Sequence, residues 1–188
     1  MRKLILFMHT SLDGFVPGLN GEMNWIKVDE AIFDFVGTMT DQADTALYGR
    51  VTYEMMESYW PTAADKPTAT KHDIEHSQWY NKVSKIVLSG TIKATGLLNT
   101  RVFGENIPEN INKIKQQDGK NIIIFGSPSA SNSLLKMGVV DEFWIFVNPV
   151  LLGQGVPLFK DIAESVQLTL VETRAFDNGV IALHYAKL

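Results

Sequence analysis

Ile122-Ile123-Ile124-Phe125-Gly126-Ser127-Pro128-Ser129-Ala130 decides how this chain folds. Four bulky apolar residues in succession suit a strand covered on both faces. Glycine ends the run, and proline at an early helical position opens a helix that reaches Met137 and closes at Gly138. A strand that passes into a helix through small residues is half of a parallel crossover unit.

The same pattern recurs outward from this point. Upstream, a strand over Thr45 to Tyr48 meets Gly49 and a helix over Arg50 to Tyr59, and a strand over Lys85 to Leu88 meets Ser89-Gly90. Leu4 to Met8 reads as the first strand. Asp29 to Met39 reads as a helix, with Ala31, Ile32, Phe35, Val36 and Met39 on one face. The stretch 61–70 reads as a loop, His72 to Asn81 as a helix, and Leu97 to Phe103 as a region holding another strand. Pro108 begins a helix to Gln117, with Gly119 just past its end. Downstream, Phe143 to Val147 is another covered strand. The tail changes character: Gln167 to Glu172 alternates apolar and polar, and Asp177-Asn178-Gly179 is a tight turn before Val180 to Tyr185. The expectation is a three-layer α/β fold with a mostly parallel mixed sheet, helices on both faces and an antiparallel C-terminal hairpin. No repeat or linker interrupts it, so residues 1–188 read as one domain.

Composition narrows the chemistry. The 188 residues are 45% hydrophobic and 20% charged, enough for a full core, and the formal net charge is −4. That balance argues against nucleic acid as the main partner. With no cysteine, thiol catalysis, thiolate metal sites and disulfides are excluded, in keeping with a cytoplasmic setting. Met1 to Met8 looks at first like a signal peptide, but the apolar run is short and Asp13-Gly14 follows where a cleavage site belongs. No apolar run approaches membrane-spanning length.

The three junctions at Gly49, Gly90 and Gly126 are ordinary turns when taken singly. In register they put small residues and helix starts at the carboxyl edge of a parallel sheet, where ligands bind in open α/β folds. Glycine admits an anion close to the backbone, free N–H groups at a helix start hold phosphate, and Arg50 adds a guanidinium clamp. Neither a Walker loop nor G-x-G-x-x-G is present, since Gly153-Gln154-Gly155 lacks the third glycine and the helix.

Thr10-Ser11-Leu12-Asp13-Gly14-Phe15, Leu47 to Glu54, Val87-Leu88-Ser89, Phe125-Gly126-Ser127, Val140-Asp141-Glu142 and Pro149 to Gly155 with Leu158-Phe159 together resemble the dihydrofolate-reductase-like superfamily. The branch is that of the C-terminal reductase domain of riboflavin biosynthesis. The resemblance implies an NADPH-dependent reductase that passes a hydride to an unsaturated bond of a small pterin-like, pyrimidine-like or carbonyl substrate. A non-catalytic dinucleotide-binding module is the alternative. It places Gly49, Arg50 and Thr52 at the cofactor phosphates, Ser89 and Gly90 beside the adenosine 2'-phosphate, and Gly126, Ser127, Ser129 and Ala130 at the pyrophosphate. It also implies a homodimer. Ser127 stands where relatives often have a second glycine, and Phe125 where riboflavin-pathway members carry glutamate.

On the substrate side, the resemblance calls for a carboxylate on the first helix, and Asp29, Glu30 and Asp34 fall in that region. Asp13 is a further candidate, competing with a plain turn role before Gly14. Trp25 and Trp60 are the aromatics expected against a flat heterocycle. His72-Asp73-Ile74-Glu75-His76 matches an inverted zinc-peptidase motif, but its polar flanks and lack of an acidic third ligand read as a solvated helix face, so no metal is expected. His9 and His184 read as core or edge residues.

Overall fold

The computed structural model describes residues 1–93 and 95–188. Its strands are β1 (Leu4–Ser11), β2 (Ala43–Gly49), β3 (Ser84–Leu88), β4 (Thr100–Phe103), β5 (Asn121–Phe125), β6 (Glu142–Asn148), β7 (Leu168–Ala175) and β8 (Ile181–Lys187). Its helices are α1 (Glu30–Asp41), α2 (Arg50–Tyr59), α3 (Lys71–Lys82), α4 (Ile107–Lys115) and α5 (Pro128–Lys136). They form one eight-stranded sheet in the order β4-β3-β2-β5-β1-β6-β8-β7. Every neighbour pair from β4 to β6 is parallel, and the β7–β8 hairpin closes the far side antiparallel to β6. This is the α/β architecture expected from the sequence.

Strand alternation divides the core. Leu4, Leu6, Ile122 and Ile124 pack with Ile111 and Ile114 of α4 and Leu134 of α5. Phe7, Ile123, Phe125 and Phe146 pack on the other face with Ile32 and Val36 of α1, Tyr53 of α2 and Tyr80 of α3. The unbroken apolar run of β5 is thus read out on both faces, and burial of each isoleucine contributes roughly 1.5–3 kcal/mol.

The register positions the functional edge. Leu6 lies opposite Ile124, Leu47 opposite Ile124 from the other side, and Gly49 opposite Leu88. The carboxyl ends of β1, β5, β2 and β3 therefore share one rim.

The strand expected within 97–103 is β4, which begins at Thr100 just after Asn99 at φ +51. Two details differ from the expectation. Trp60–Asp65, read as loop, winds into a 3₁₀ turn with Pro61 at its start and Ala63 fully buried beneath it. No helix occurs among the described residues of the β3–β4 connection, so the strand–helix alternation skips there. No helix is long and apolar enough to cross a membrane.

Candidate functional site

A cleft of about 630 Å³ lies over the ends of β1, β2 and β5. Its walls come from Phe7, Met8 and His9, from Gly49–Thr52 with Met55 and Met56, from Phe125–Ala130, and from Val16, Pro17, Gly21, Met23 and Ile26 on the chain leading to α1. Seven of the residues assigned to a cofactor from sequence meet here: Gly49, Arg50, Thr52, Gly126, Ser127, Ser129 and Ala130.

Both helices that start at this cleft lack a side-chain cap. Of the others, α1 is capped by Asp29 and α3 by a Thr70–Asp73 capping box, whereas α4, away from the cleft, also lacks a side-chain cap. The first-turn N–H groups of α2 and α5 have no intrahelical acceptor, and each helix start carries partial positive charge. The two turns are locked together. Gly126 and Ser127 are both left-handed, at φ +58 and +55, and the Gly49 N–H donates to Ser127 Oγ at 3.0 Å. A Cβ on Gly49 would stand 3.2 Å from Ala130 Cβ. The serine that replaces the second glycine thus supplies the bond between the turns.

Arg50 reaches over this rim. Its Nη1 donates to both carboxylate oxygens of Glu54, at 2.9 and 3.1 Å, in an exposed i,i+4 pair. Such a pair is held weakly, so an arriving phosphate competes for the guanidinium on favourable terms.

Ser89 and Gly90 do not join the cleft. They line a separate depression with Gly104, Glu105 and Asn110, one strand further out at the end of β3. Ser89 Oγ is engaged by the N–H groups of Thr91 and Ile92, at 3.1 and 3.0 Å. The charged residue lining the depression is the anion Glu105.

The expected carboxylates lie elsewhere. Asp13 accepts from Ser11 Oγ at 2.6 Å, Gly153 N–H at 2.7 Å and Leu152 N–H at 3.2 Å. The Ser11 hydroxyl, with the two amides, holds its carboxyl below the usual range. Asp13 straps β1 to the Leu152-Gly153 loop. Asp29 spends one oxygen on the Ile32 N–H at 2.9 Å and the other on Asn178 Nδ2 at 2.7 Å. Glu30 and Asp34 line a groove between α1 and α3, where Asp34 pairs with Lys71 at 2.8 Å. The aromatic candidates are also displaced. Trp25 Nε1 turns back to the Glu22 carbonyl at 3.1 Å, and Trp60 packs on His72 and His76. Among the described residues no carboxylate lines the cleft.

Residues 2–182 match the RibD C-terminal domain family. The chain belongs to that family. The chain is 35% identical to the uncharacterized protein YyaP of Bacillus subtilis (strain 168), over 98% of this chain and 94% of that protein. Its fold is similar to that of a putative riboflavin biosynthesis protein from Shewanella sp. PV-4, with a TM-score of 0.70, 23% identity and 99% of each chain covered. It is also similar to dihydrofolate reductase from Enterococcus faecalis complexed with NADP(H), with a TM-score of 0.61 and 17% identity, covering 98% of this chain and 96% of that one. The fold is thus dihydrofolate-reductase-like, and the family is an oxidoreductase-type domain.

In this RibD C-terminal domain the histidine pair of α3 packs as aromatic surface. Phe33 stacks on His72 with ring centres 3.8 Å apart at 9°, and His76 lies 4.2 Å from Trp60 and 5.2 Å from Trp79. Burial pushes His76 down to about 3 and His72 below its ordinary value. The solvated-face reading is therefore corrected: the helix turns these rings inward. No group of three potential ligands able to hold a metal occurs among the described residues.

His9, read from sequence as a core or edge residue, lines the cleft. Its only sequence signal was its place near the end of the first strand, on the rim where ligands sit. Its ring lies 5.7 Å from Phe7 and 4.9 Å from Phe146, and burial pushes its pKa down to about 4.

Proposed function

We propose that the protein is an NADPH-dependent reductase that acts on a small unsaturated substrate in the cleft over β1, β2 and β5. The observation that carries this reading is the convergence of two uncapped helix starts, α2 and α5, on one cleft with Arg50 at its rim. Free N–H groups at two helix starts and a closely approaching backbone suit a pyrophosphate, and Arg50 at the rim suits a further phosphate. Gly49 lets the two turns pack closely, since a Cβ there would stand 3.2 Å from Ala130 Cβ.

When bound, the cofactor supplies the hydride. This chain's residues bind, orient and exclude water. Thr52, Ser129 and the first-turn amides suit the phosphates. Phe7, Val16, Met23, Ile26 and Phe125 form an apolar chamber for the flat ring beside them. A fluorescence titration with NADPH tests the reading: saturable binding is expected, and no binding at millimolar cofactor overturns it.

A second reading, a dinucleotide-binding module without turnover, is favoured by the lack of a carboxylate among the described residues of the cleft wall. It predicts NADPH binding with no oxidation by any carbonyl, pterin or pyrimidine compound. One efficient substrate eliminates it. We further propose a cytoplasmic homodimer. β7 is a sheet edge with every residue exposed, including Leu168, Leu170 and Val171, and an uncovered edge invites pairing with a second copy.

A further inference from the structure

The cleft is lined by a polar ring, His9, whose hydrogen-bonding role is biased by a buried amide. Asn148, at the end of β6, is fully buried. Its Oδ1 accepts from the Lys27 N–H at 2.8 Å, and its Nδ2 donates to the carbonyls of Phe146 and Thr10 at 3.1 and 3.2 Å. A backbone N–H only donates and a carbonyl only accepts, so the amide has one allowed orientation. Nδ2 also faces His9 Nδ1 at 3.3 Å. The amide nitrogen has two hydrogens to share among these three neighbours and no lone pair to offer, so a hydrogen on Nδ1 would point at a donor; this favours Nδ1 as an acceptor and, in the neutral imidazole, the proton on Nε2. Burial keeps this ring neutral at physiological pH.

Nε2 has no hydrogen-bond partner among the described residues, yet it is not among the buried polar atoms left without one, of which the Tyr48 hydroxyl is the sole case among those residues. It is therefore accessible, on a side chain that lines the cleft. The rest of that wall is apolar around it, with Phe7 and Phe146 against the ring and Val16, Met23 and Ile26 nearby.

We propose that His9 is the specificity-determining residue of the substrate site, a neutral Nε2–H donor that recognises a carbonyl oxygen on an uncharged, flat substrate. The proposal rests on the reductase reading for the reaction but not for the recognition. It selects against substrates with a 2-aminopyrimidine edge. Two adjacent N–H donors on such an edge need a carboxylate, and none lines the cleft among the described residues. Buried donors left unpaired cost more than a missed contact. Asn148 is a positioning residue: it touches His9, not the substrate, and biases which nitrogen is protonated.

The test uses 1,4-naphthoquinone as the carbonyl probe, because a chain without cysteine offers it no thiol to arylate. Calorimetric titrations compare it with dihydrofolate on the wild type, His9→Phe and His9→Gln. Phenylalanine keeps the packing and removes the donor, whereas glutamine restores a donor. The quinone should bind more tightly than dihydrofolate, lose about tenfold affinity in His9→Phe and no more than about threefold in His9→Gln, the scale of one neutral hydrogen bond. Equal quinone affinity in His9→Phe, tighter binding of dihydrofolate, or no quinone binding to the wild type would each overturn it. Should His9→Phe fail to fold, nitrogen-15 NMR of the wild-type ring decides. Protonated Nε2 that shifts on quinone addition supports the proposal, and a proton on Nδ1 overturns it. NADPH titrated into the same wild-type sample reports separately: its failure sinks the reductase reading and leaves the His9 result standing.

Discussion

The backbone N–H of Gly49, at the end of β2, donates to Ser127 Oγ, at the start of α5, across 3.0 Å. One hydrogen bond thus couples two strand-to-helix turns that are 78 residues apart in the chain. Ser127 holds it while sitting at φ +55, where a side chain costs about 1 kcal/mol that glycine avoids. Ser127→Ala keeps the strain and loses the bond, so it should lower stability by about 1 kcal/mol. Ser127→Gly loses the same bond but relieves the strain, and should lie close to the wild type. Urea unfolding of the two variants checks this, and equal losses would show that the bond and not the conformation dominates.

Arg50 tests cofactor choice. If its guanidinium leaves Glu54 for the 2'-phosphate, Arg50→Ala should weaken NADPH by about 1.5–3 kcal/mol and barely affect NADH. Equal losses for both would place Arg50 at the pyrophosphate. Glu54→Gln removes the competitor, and it should tighten NADPH severalfold at low salt, with the gain shrinking as salt rises.

His9 and His76 make the fold acid-sensitive. Both are neutral in the folded state, with pKa values pushed down to about 4 and about 3. In the unfolded chain they protonate near pH 6.5, at about the value for free histidine. Below that pH the unfolded state binds more protons, so stability falls as pH drops from about 6.5 toward about 4, on the order of 1–2 kcal/mol per ring by pH 5. His76→Leu should flatten this slope in thermal melts between pH 7 and 5. An unchanged slope would mean that the ring is solvated in the folded state.

Assembly is read by light scattering. The chain is 21.0 kDa, and about twice that mass is expected at low micromolar concentration. Val171→Lys on the exposed β7 edge should return the monomer mass. A monomeric wild type would contradict pairing through this edge.

Local signals made much of the fold legible. The apolar run at Ile122–Phe125, the glycines after β2 and β5, and the Asp177-Asn178-Gly179 turn each mark their element through short-range sterics. The meeting of Gly49, Arg50 and Gly126 in one cleft was legible for the same reason, since they follow directly from strand ends. The opposite wall was not. Asp13 and Asp29 look like pocket acids in sequence, but their oxygens serve Gly153 and Asn178, partners 140 and 149 residues away. An aspartate just before a helix, as Asp29 is, already carries the signature of a cap. His9 escaped notice because its role depends on Asn148, 139 residues on, reached only when β1 and β6 pair.

On the proposed reading NADPH lies across the starts of α2 and α5. Amide chemical-shift mapping with NADPH tests it most directly, because each residue of the cleft reports for itself. Saturable shifts are expected, concentrated at Gly49–Thr52 and at Gly126, Ser127, Ser129 and Ala130, with His9 nearby responding. No shifts at millimolar cofactor, or shifts gathered instead along the groove between α1 and α3, would contradict it.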